Sequence, residues 1–372
     1  MSETFICSIC GCETPLDERH IFDGRQLCDD CFEDETVICD CCENRVWRSD
    51  AVSDSHTIVC DSCYDRHYTT CTECGRLLYY DAACYPDEDD EDAPYCRSCA
   101  AQFASRSHPI QNYGYKPVPI FYGNGKRFLG VELEIDRGGE YDDHASRLID
   151  LANANEERIY CKHDGSINCG FEIVTHPMTL AYHETVMPWS ELLRSAVNMG
   201  YRSHQTSTCG LHVHVNRDSL GDSPAQQEDT IARILFFVEN NWNELLKFSR
   251  RTVSQMQQWA ARYGRKDSPK EVMETAKNKC YSRYSCVNLL NHSTIEFRMF
   301  RGTLRCSTLK ATLQLVNEIC DVAFSSSDEE MSDLTWVEFV ARLDTQHCPE
   351  LVNYLKERRL YVCEPVQGEE EL

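Results

Sequence analysis

Six Cys-x2-Cys pairs constrain the first hundred residues more than any other feature of the chain. They are Cys7/Cys10, Cys28/Cys31, Cys39/Cys42, Cys60/Cys63, Cys71/Cys74 and Cys96/Cys99. Cys7, Cys39 and Cys71 recur at a period of 32, and a fixed period of this length marks an internal repeat. The units share more than thiols. RQLCDDCF, HTIVCDSCY and APYCRSCA each enter the second pair through a strand-like residue, and RVWRSDA and RLLYYDAA fill the same place in units two and three. A unit of about 30 residues buries too little apolar surface to fold alone. Four thiolates at this spacing suit tetrahedral zinc, which contributes on the order of 10 kcal/mol of folding free energy. Disulfides would need an oxidising compartment, and the first residues show neither the basic n-region nor the apolar h-region of an export signal. We therefore expect three tandem four-cysteine zinc modules over residues 1–104, in a cytoplasmic protein. Cys12, Cys41 and Cys84 are left over, and Cys12 or Cys41 could replace a neighbouring ligand. Adjacent units are 7 residues apart, with His20, His56 and His67 nearby. A LIM-like interleaving, such as Cys28/Cys31 with Cys39/Cys42, therefore stays open beside separate units.

Charge limits what the array can bind. The 372 residues carry a net charge of -24. Residues 1–100 hold 7 arginines, no lysine and 24 acidic residues, and each four-thiolate zinc adds about two further negative charges. The run DEDDED at Asp87–Asp92 lies in the third unit. Such a surface repels nucleic acid and anionic membrane and suits docking of a protein or peptide, a basic one in particular. No apolar run approaches the roughly 20 residues that span a bilayer. Residues 105–125, rich in proline, glycine and aromatics, read as a linker.

From Phe128 the pattern turns periodic. In FLGVELEID, Leu129, Val131, Leu133 and Ile135 face one way, and Gly130, Glu132 and Glu134 the other. Three later segments repeat this arrangement. GFEIV sets Glu172 between Phe171 and Ile173. GLHVHV sets His212 and His214 opposite Leu211, Val213 and Val215. STIEFRMF sets Glu296 and Arg298 opposite Ile295, Phe297 and Met299. If these strands share a sheet, carboxylates and imidazoles converge, and like charges so packed need a cation. Oxygen-rich donors with one or two imidazoles suit Mg2+ or Mn2+, and arginine beside such ions suits phosphate. Helical periods fill the gaps: Asp143–Asn155, Thr179–Met199 interrupted at Pro188, Gln226–Ser249, and a helix from an N-cap at Ser307 to Phe324. The fold class expected is α+β with a largely antiparallel sheet, over residues 126–363. Residues 364–372 read as an acidic tail. His163, His176 and His183 read as ordinary surface or core histidines. The pair His183–Glu184 lacks the second histidine of a zinc-protease motif.

Four segments in this order, GVELE (130–134), KHDGSINCGFEIVTHP (162–177), CGLHVHVN (209–216) and NLLNHSTIEFRMFRGTL (288–304), resemble the amidoligases. That family belongs with glutamine synthetase and glutamate–cysteine ligase among the ATP-dependent carboxylate–amine ligases. Its members are often encoded in phages and prophages, and some carry N-terminal zinc modules. The resemblance implies a glutamine synthetase-like fold, with ATP and Mg2+ or Mn2+ as cofactors. It implies one metal site from Glu132, His212 and Glu296, and a second from Glu134 and Glu172 with Asp164. It places His214 near the ATP phosphates and Arg298 on the γ-phosphate, with Arg301 and Arg305 as further phosphate or substrate contacts. The reaction implied joins a carboxylate to an amine through an acyl phosphate, on a peptide or protein substrate presented by the zinc array. Two other readings stay open: a phosphotransferase on the same scaffold, and a zinc-finger adaptor with a degenerate ligase domain.

Overall fold

Short hairpins are what 32-residue units with so little apolar content can form. The structure, a computed structural model, describes residues 4–85, 92–100, 108–278 and 284–361. Most of the acidic run Asp87–Asp92, the first residues of the linker and the tail 364–372 lie outside the described residues. The chain divides into two units, Met1–Phe103 and Ala104–Leu372.

In the first unit β1 (Thr4–Ile6) pairs with β2 (Glu13–Pro15), and β3 (His20–Phe22) with β4 (Arg25–Leu27), all antiparallel. The helix α1 (Asp29–Glu35) follows. The next period repeats this order: β5 (Thr36–Ile38) with β6 (Arg45–Trp47), β7 (Ala51–Ser53) with β8 (Ile58–Cys60), then α2 (Asp61–His67). The third has β9 (Tyr68–Thr70) with β10 (Leu77–Tyr79), a bridge between Cys84 and Tyr95, then α3 (Arg97–Ala100). The backbone repeats even where the residue changes. Gly11, Glu43 and Gly75, one period apart, all take positive φ (73°, 58° and 71°). Their N–H groups donate to the carbonyls of Cys7, Cys39 and Cys71 at 2.9–3.0 Å. Each first cysteine pair thus sits in a tight turn, and each second pair at the start of a helix.

The second unit is built on one sheet in the order β11 (Ile110–Gln111), β13 (Ile159–Lys162), β14 (Phe171–Thr175), β12 (Leu129–Ile135), β15 (Gly210–Asn216), β17 (Thr294–Arg301), β16 (Val287–Asn288). Only the short edge strand β11 pairs parallel. It comes from the stretch read as linker, which also supplies Tyr122 to the core. The alternate rows behave as the sequence implies. Leu129, Val131, Leu133, Ile135, Phe171, Ile173, Leu211, Val213, Val215, Ile295, Phe297 and Met299 are all sealed from solvent. They share a core with α4 (Asp142–Asn153), α5 (Leu180–Thr185), α6 (Trp189–Asn198) and α7 (Pro224–Asn240), through side chains such as Leu148, Leu192 and Ile234. The helices α8 (Trp242–Ser249), α9 (Val253–Trp259), α10 (Pro269–Asn278) and α11 (Cys306–Ser325) also join that core. So do α13 (Trp336–Arg342) and α14 (Pro349–Glu357), which follow the short α12 (Asp328–Asp333). Burying one leucine contributes about 2 kcal/mol, so this apolar face fixes which residues remain for chemistry on the other.

Three helices differ from the expectation. Pro188 ends one helix and caps the next, because it lacks the N–H a continuous helix needs. The 226–249 period breaks at Asn241, whose φ of -105° and ψ of 31° leave the helical region. The last long helix starts at Cys306 with extended Arg305 before it, so Ser307 lies in the first turn and is not the cap.

His183 carries a prediction. Its ring is buried, Nε2 donates to the Leu129 carbonyl (3.0 Å), and Nδ1 has no hydrogen-bond partner among the described residues. Burial pushes its pKa down to about 4. The unfolded chain therefore binds a proton that the folded chain refuses, and stability falls as pH drops from about 6.5 toward 4. The loss expected from this residue is about 3 kcal/mol. Urea unfolding across that window should show it, and His183→Gln should flatten the pH dependence.

Candidate functional site

Strand register builds the site. Glu134 pairs across β12 and β14 with Glu172, while Glu132 pairs across β12 and β15 with His212. His214 pairs with Glu296 of β17, and Glu296 with Asn288 of β16. The β15–β17 register shifts between Leu211 and Val213. The extra residue lies on β17, where Arg298 and Met299 together face His212, and such a bulge re-aims side chains of the bulged strand.

His212 links two groups. Its Nδ1 lies 3.4 Å from Glu132 Oε2 and 3.5 Å from Glu296 Oε1, and its Nε2 lies 3.7 Å from Glu134 Oε1. Donor atoms of Glu132, His212 and Glu296 lie within 4.8 Å of one another, as do those of Glu134, Glu172 and His212. Glu134, Glu172, His212 and Glu296 are buried, and Glu132 is partly exposed. Neighbours hold the donors in place. Gly210 N–H donates to Glu134 Oε2 (2.6 Å), Asn288 Nδ2 donates to Glu296 Oε2 (2.9 Å), and Thr294 Oγ1 lies 3.2 Å from His214 Nδ1. Such contacts orient metal ligands.

Four carboxylates in a dry cluster exceed the cations beside them. Lys162 Nζ is 3.3 Å from Glu172, His214 Nε2 is 3.2 Å from Glu132, and Arg298 pairs with Glu296. Burial, together with Glu132, Glu134 and Asp164, pushes the Glu172 carboxyl well above the usual range, although Lys162 opposes this. Burial raises Glu134 as well, with His212 opposing. Burial would also raise Glu132, but the His214 and His212 imidazoles outweigh it and hold Glu132 well below that range. Arg298 and His214 likewise outweigh burial and lower Glu296. Oxygen donors with one imidazole fit a hard divalent cation, whose charge would hold all four carboxylates ionised.

The remaining sequence candidates contribute no donor atom to either group. Asp164 joins neither group, and its Oδ1 accepts from the Ser166 N–H (2.7 Å) and hydroxyl (2.5 Å). Arg305 forms a two-pronged pair with Glu357 at 2.9 and 2.7 Å. Arg301 donates to the carbonyls of Arg250 and Thr206. Sequence reasoning missed Lys162 and Asn288, whose roles exist only through strand pairing. It also missed Arg250 and Arg251, which lie just past the helical period that ends at Ser249.

The cysteine sulfurs fall into separate units: Cys7, Cys10, Cys28 and Cys31; Cys39, Cys42, Cys60 and Cys63; Cys71, Cys74, Cys96 and Cys99. The interleaved partition is not the one adopted. Sulfur separations across the pairs are 3.8, 3.9 and 3.7 Å (Cys10–Cys28, Cys42–Cys60, Cys74–Cys96). A tetrahedral ion with bonds of about 2.3 Å sets them near 3.8 Å. Cys12, Cys41 and Cys84 stay outside the three groups. Main-chain N–H groups of Cys28, Cys60 and Cys96 point at the sulfurs of Cys7, Cys39 and Cys71 at 3.2–3.4 Å. Burial raises the Cys7 thiol, but these and neighbouring N–H groups outweigh it and lower its pKa to about 6, which favours the thiolate that metals require.

Residues 150–320 match the family described as "Putative amidoligase enzyme". Three of the four motif segments lie inside that stretch and GVELE precedes it, so the resemblance to the amidoligases holds over residues 150–320. Among solved structures, the chain is similar to a bifunctional glutathione synthetase from Pasteurella multocida. Identity is 14%, the TM-score is 0.31, and the match covers 62% of this chain and 46% of that one. The chain thus spans less than half the length of that synthetase. No curated protein matches. Among the described residues, no helix is long and apolar enough to cross a membrane.

Proposed function

We propose that the second unit is an ATP-dependent carboxylate–amine ligase on a glutamine synthetase-like sheet. The observation that carries this reading is the pair of buried donor groups sharing His212, with Arg298 and His214 at their edge. Glu132, His212 and Glu296 would hold one Mg2+ or Mn2+, and Glu134, Glu172 and His212 the other. Such ions offset the charge of a phosphoryl group in transfer. Hydroxide is a poor leaving group, so a carboxylate does not accept an amine directly. The substrate carboxylate oxygen attacks the γ-phosphorus of ATP and ADP leaves. The amine nitrogen then attacks the acyl carbon, phosphate leaves, and the nitrogen loses a proton to give the amide. Arg298 would neutralise the phosphoryl oxygens and His214 would contact the ATP phosphates. The three cysteine groups would hold Zn2+, in keeping with the reduced thiols of a cytoplasmic protein. Their acidic modules would dock a peptide or protein, and a basic, amine-bearing one suits the charge.

The test is the dependence of ADP release on both partners. With Mg-ATP and pooled acidic peptides, adding amine should raise ADP release and yield equimolar phosphate. ADP release indifferent to carboxylate and amine, or a stable phosphorylated product, would contradict the reading.

A further inference from the structure

Beside the metal-type cluster lies a cavity of about 530 Å3, lined by His204, Lys247, Arg250, Arg251, Arg301 and Arg358, with one leucine and no Phe, Tyr or Trp. Five lysine and arginine side chains gather here in a chain of net charge -24. Carboxylates pair Arg298 and Arg305. Among the described residues, none lies within the 4.0 Å ion-pair limit of these five. Main-chain carbonyls hold the arginines: Phe300 takes Arg251, Lys247 takes Arg358, Arg301 and Gly302 take Arg250, and Arg250 and Thr206 take Arg301. Carbonyls orient the guanidinium groups without ion-pairing them. The Glu134 charge reaches Arg251 from beyond that limit, and among the described residues the other four cations have no carboxylate in contact, so the pocket is arranged for an anion.

Two further observations point to use. Arg250 ends α8 in the left-handed region (φ 64°, ψ 10°), a place where glycine fits best and where other residues are strained. The Arg250 side chain nonetheless occupies this place and lines the pocket. The pocket also meets the cluster at one end. A Cβ on Gly210 would lie 2.6 Å from His212 Nε2 and 2.7 Å from Arg251 Nη2. The guanidinium and the imidazole therefore bracket one glycine, on the side where Glu134 approaches His212. Arg298 and His214 stand at the Glu296 side. Cations thus flank the cluster on two sides.

We infer that the Lys247–Arg250–Arg251–Arg301–Arg358 pocket holds the carboxylate substrate, and that this substrate carries at least two carboxylates beyond the reacting one, as an acidic peptide does. The inference rests on the ligase reading and names its substrate class. Absence of an aromatic platform for a base argues against a nucleotide as the occupant. The polyphosphate of ATP shares the oxyanion chemistry, so the test separates the two.

Triglutamate, tripolyphosphate and Mg-ATP would be titrated calorimetrically into the full chain and into Arg358→Gln and Arg250→Gly. The expected result is triglutamate binding that weakens about tenfold or more in each variant, as for loss of one charge-assisted contact. Free glutamate should bind more weakly than triglutamate, and Mg-ATP should bind both variants within about twofold of wild type. Arg250→Gly should also keep a thermal midpoint at or above wild type, because glycine relieves the left-handed strain. A misfolded variant therefore cannot mimic the result. Loss of tripolyphosphate and Mg-ATP binding with triglutamate retained would assign the pocket to the nucleotide and overturn the inference. So would triglutamate binding that is absent from wild type or equal in all three proteins. If triglutamate behaves as expected but ATP is never consumed, the pocket stands and the ligase reading falls.

Discussion

Glu296→Gln should lower Mg-ATP turnover by about a thousandfold or more, the scale of losing several kcal/mol of metal-held charge stabilisation. Glutamine keeps the shape, and its amide oxygen can still accept from Asn288, but it removes the anion that Arg298, His212 and His214 surround. The fold should survive, since the apolar core that holds the sheet lies on its opposite face. The thermal midpoint should therefore stay within a few degrees of wild type. Glu132→Gln, at a partly exposed position in the same donor group, should behave alike. Turnover measured at matched Mg2+ and Mn2+ concentrations checks this. Full activity in either variant would remove these residues from the metal site.

Stripping metal from the first unit should have the larger effect on structure. On the zinc reading each module depends on its four-sulfur group, since the apolar clusters beside it, such as Phe5, Cys7, Leu27 and Cys28, are small. Binding of structural zinc is worth on the order of 10 kcal/mol, far more than such a cluster supplies. A strong chelator should unfold residues 1–100 while the second unit, with its own core, stays folded. Hydrogen exchange would resolve the two. Metal analysis should find three zinc ions per chain, and Cys39→Ser should reduce this to two, because Cys39 is both a ligand and the acceptor of the Cys60 N–H. Thiols that resist alkylation as disulfides, or a count unrelated to three, would contradict the account.

The parts of the site legible in the sequence were those governed by a period. Two-residue alternation separated Glu132, Glu134, Glu172, Glu296 and Arg298 from the core before any strand was paired. The 32-residue period located twelve cysteines but left their partition open. Only the turns at Gly11, Glu43 and Gly75 and the helix starts at the second pairs bring the sulfurs together within units. What stayed hidden depended on register or on distant chain ends. His212 faces Glu132 across β12 and β15 and also reaches Glu134 and Glu296, so one imidazole serves two groups, and no local pattern announces it. Lys162 meets Glu172 by strand pairing. Arg305 sits close in sequence to the β17 motif, yet Glu357 of α14 holds it elsewhere. The basic pocket joins the end of α8, the end of β17 and the residue after α14, so its cations are scattered over more than a hundred positions.

The central claim is that a carboxylate is activated by phosphoryl transfer, and hydroxylamine tests it without knowledge of the natural amine. The full chain would be incubated with Mg-ATP, hydroxylamine and pools of acidic peptides and amino acids, with Glu296→Gln as control. The account predicts hydroxamate from the wild type alone, formed in step with ADP and drawn from the acidic-peptide pool. ADP without hydroxamate, or hydroxamate in equal amount from Glu296→Gln, would contradict it.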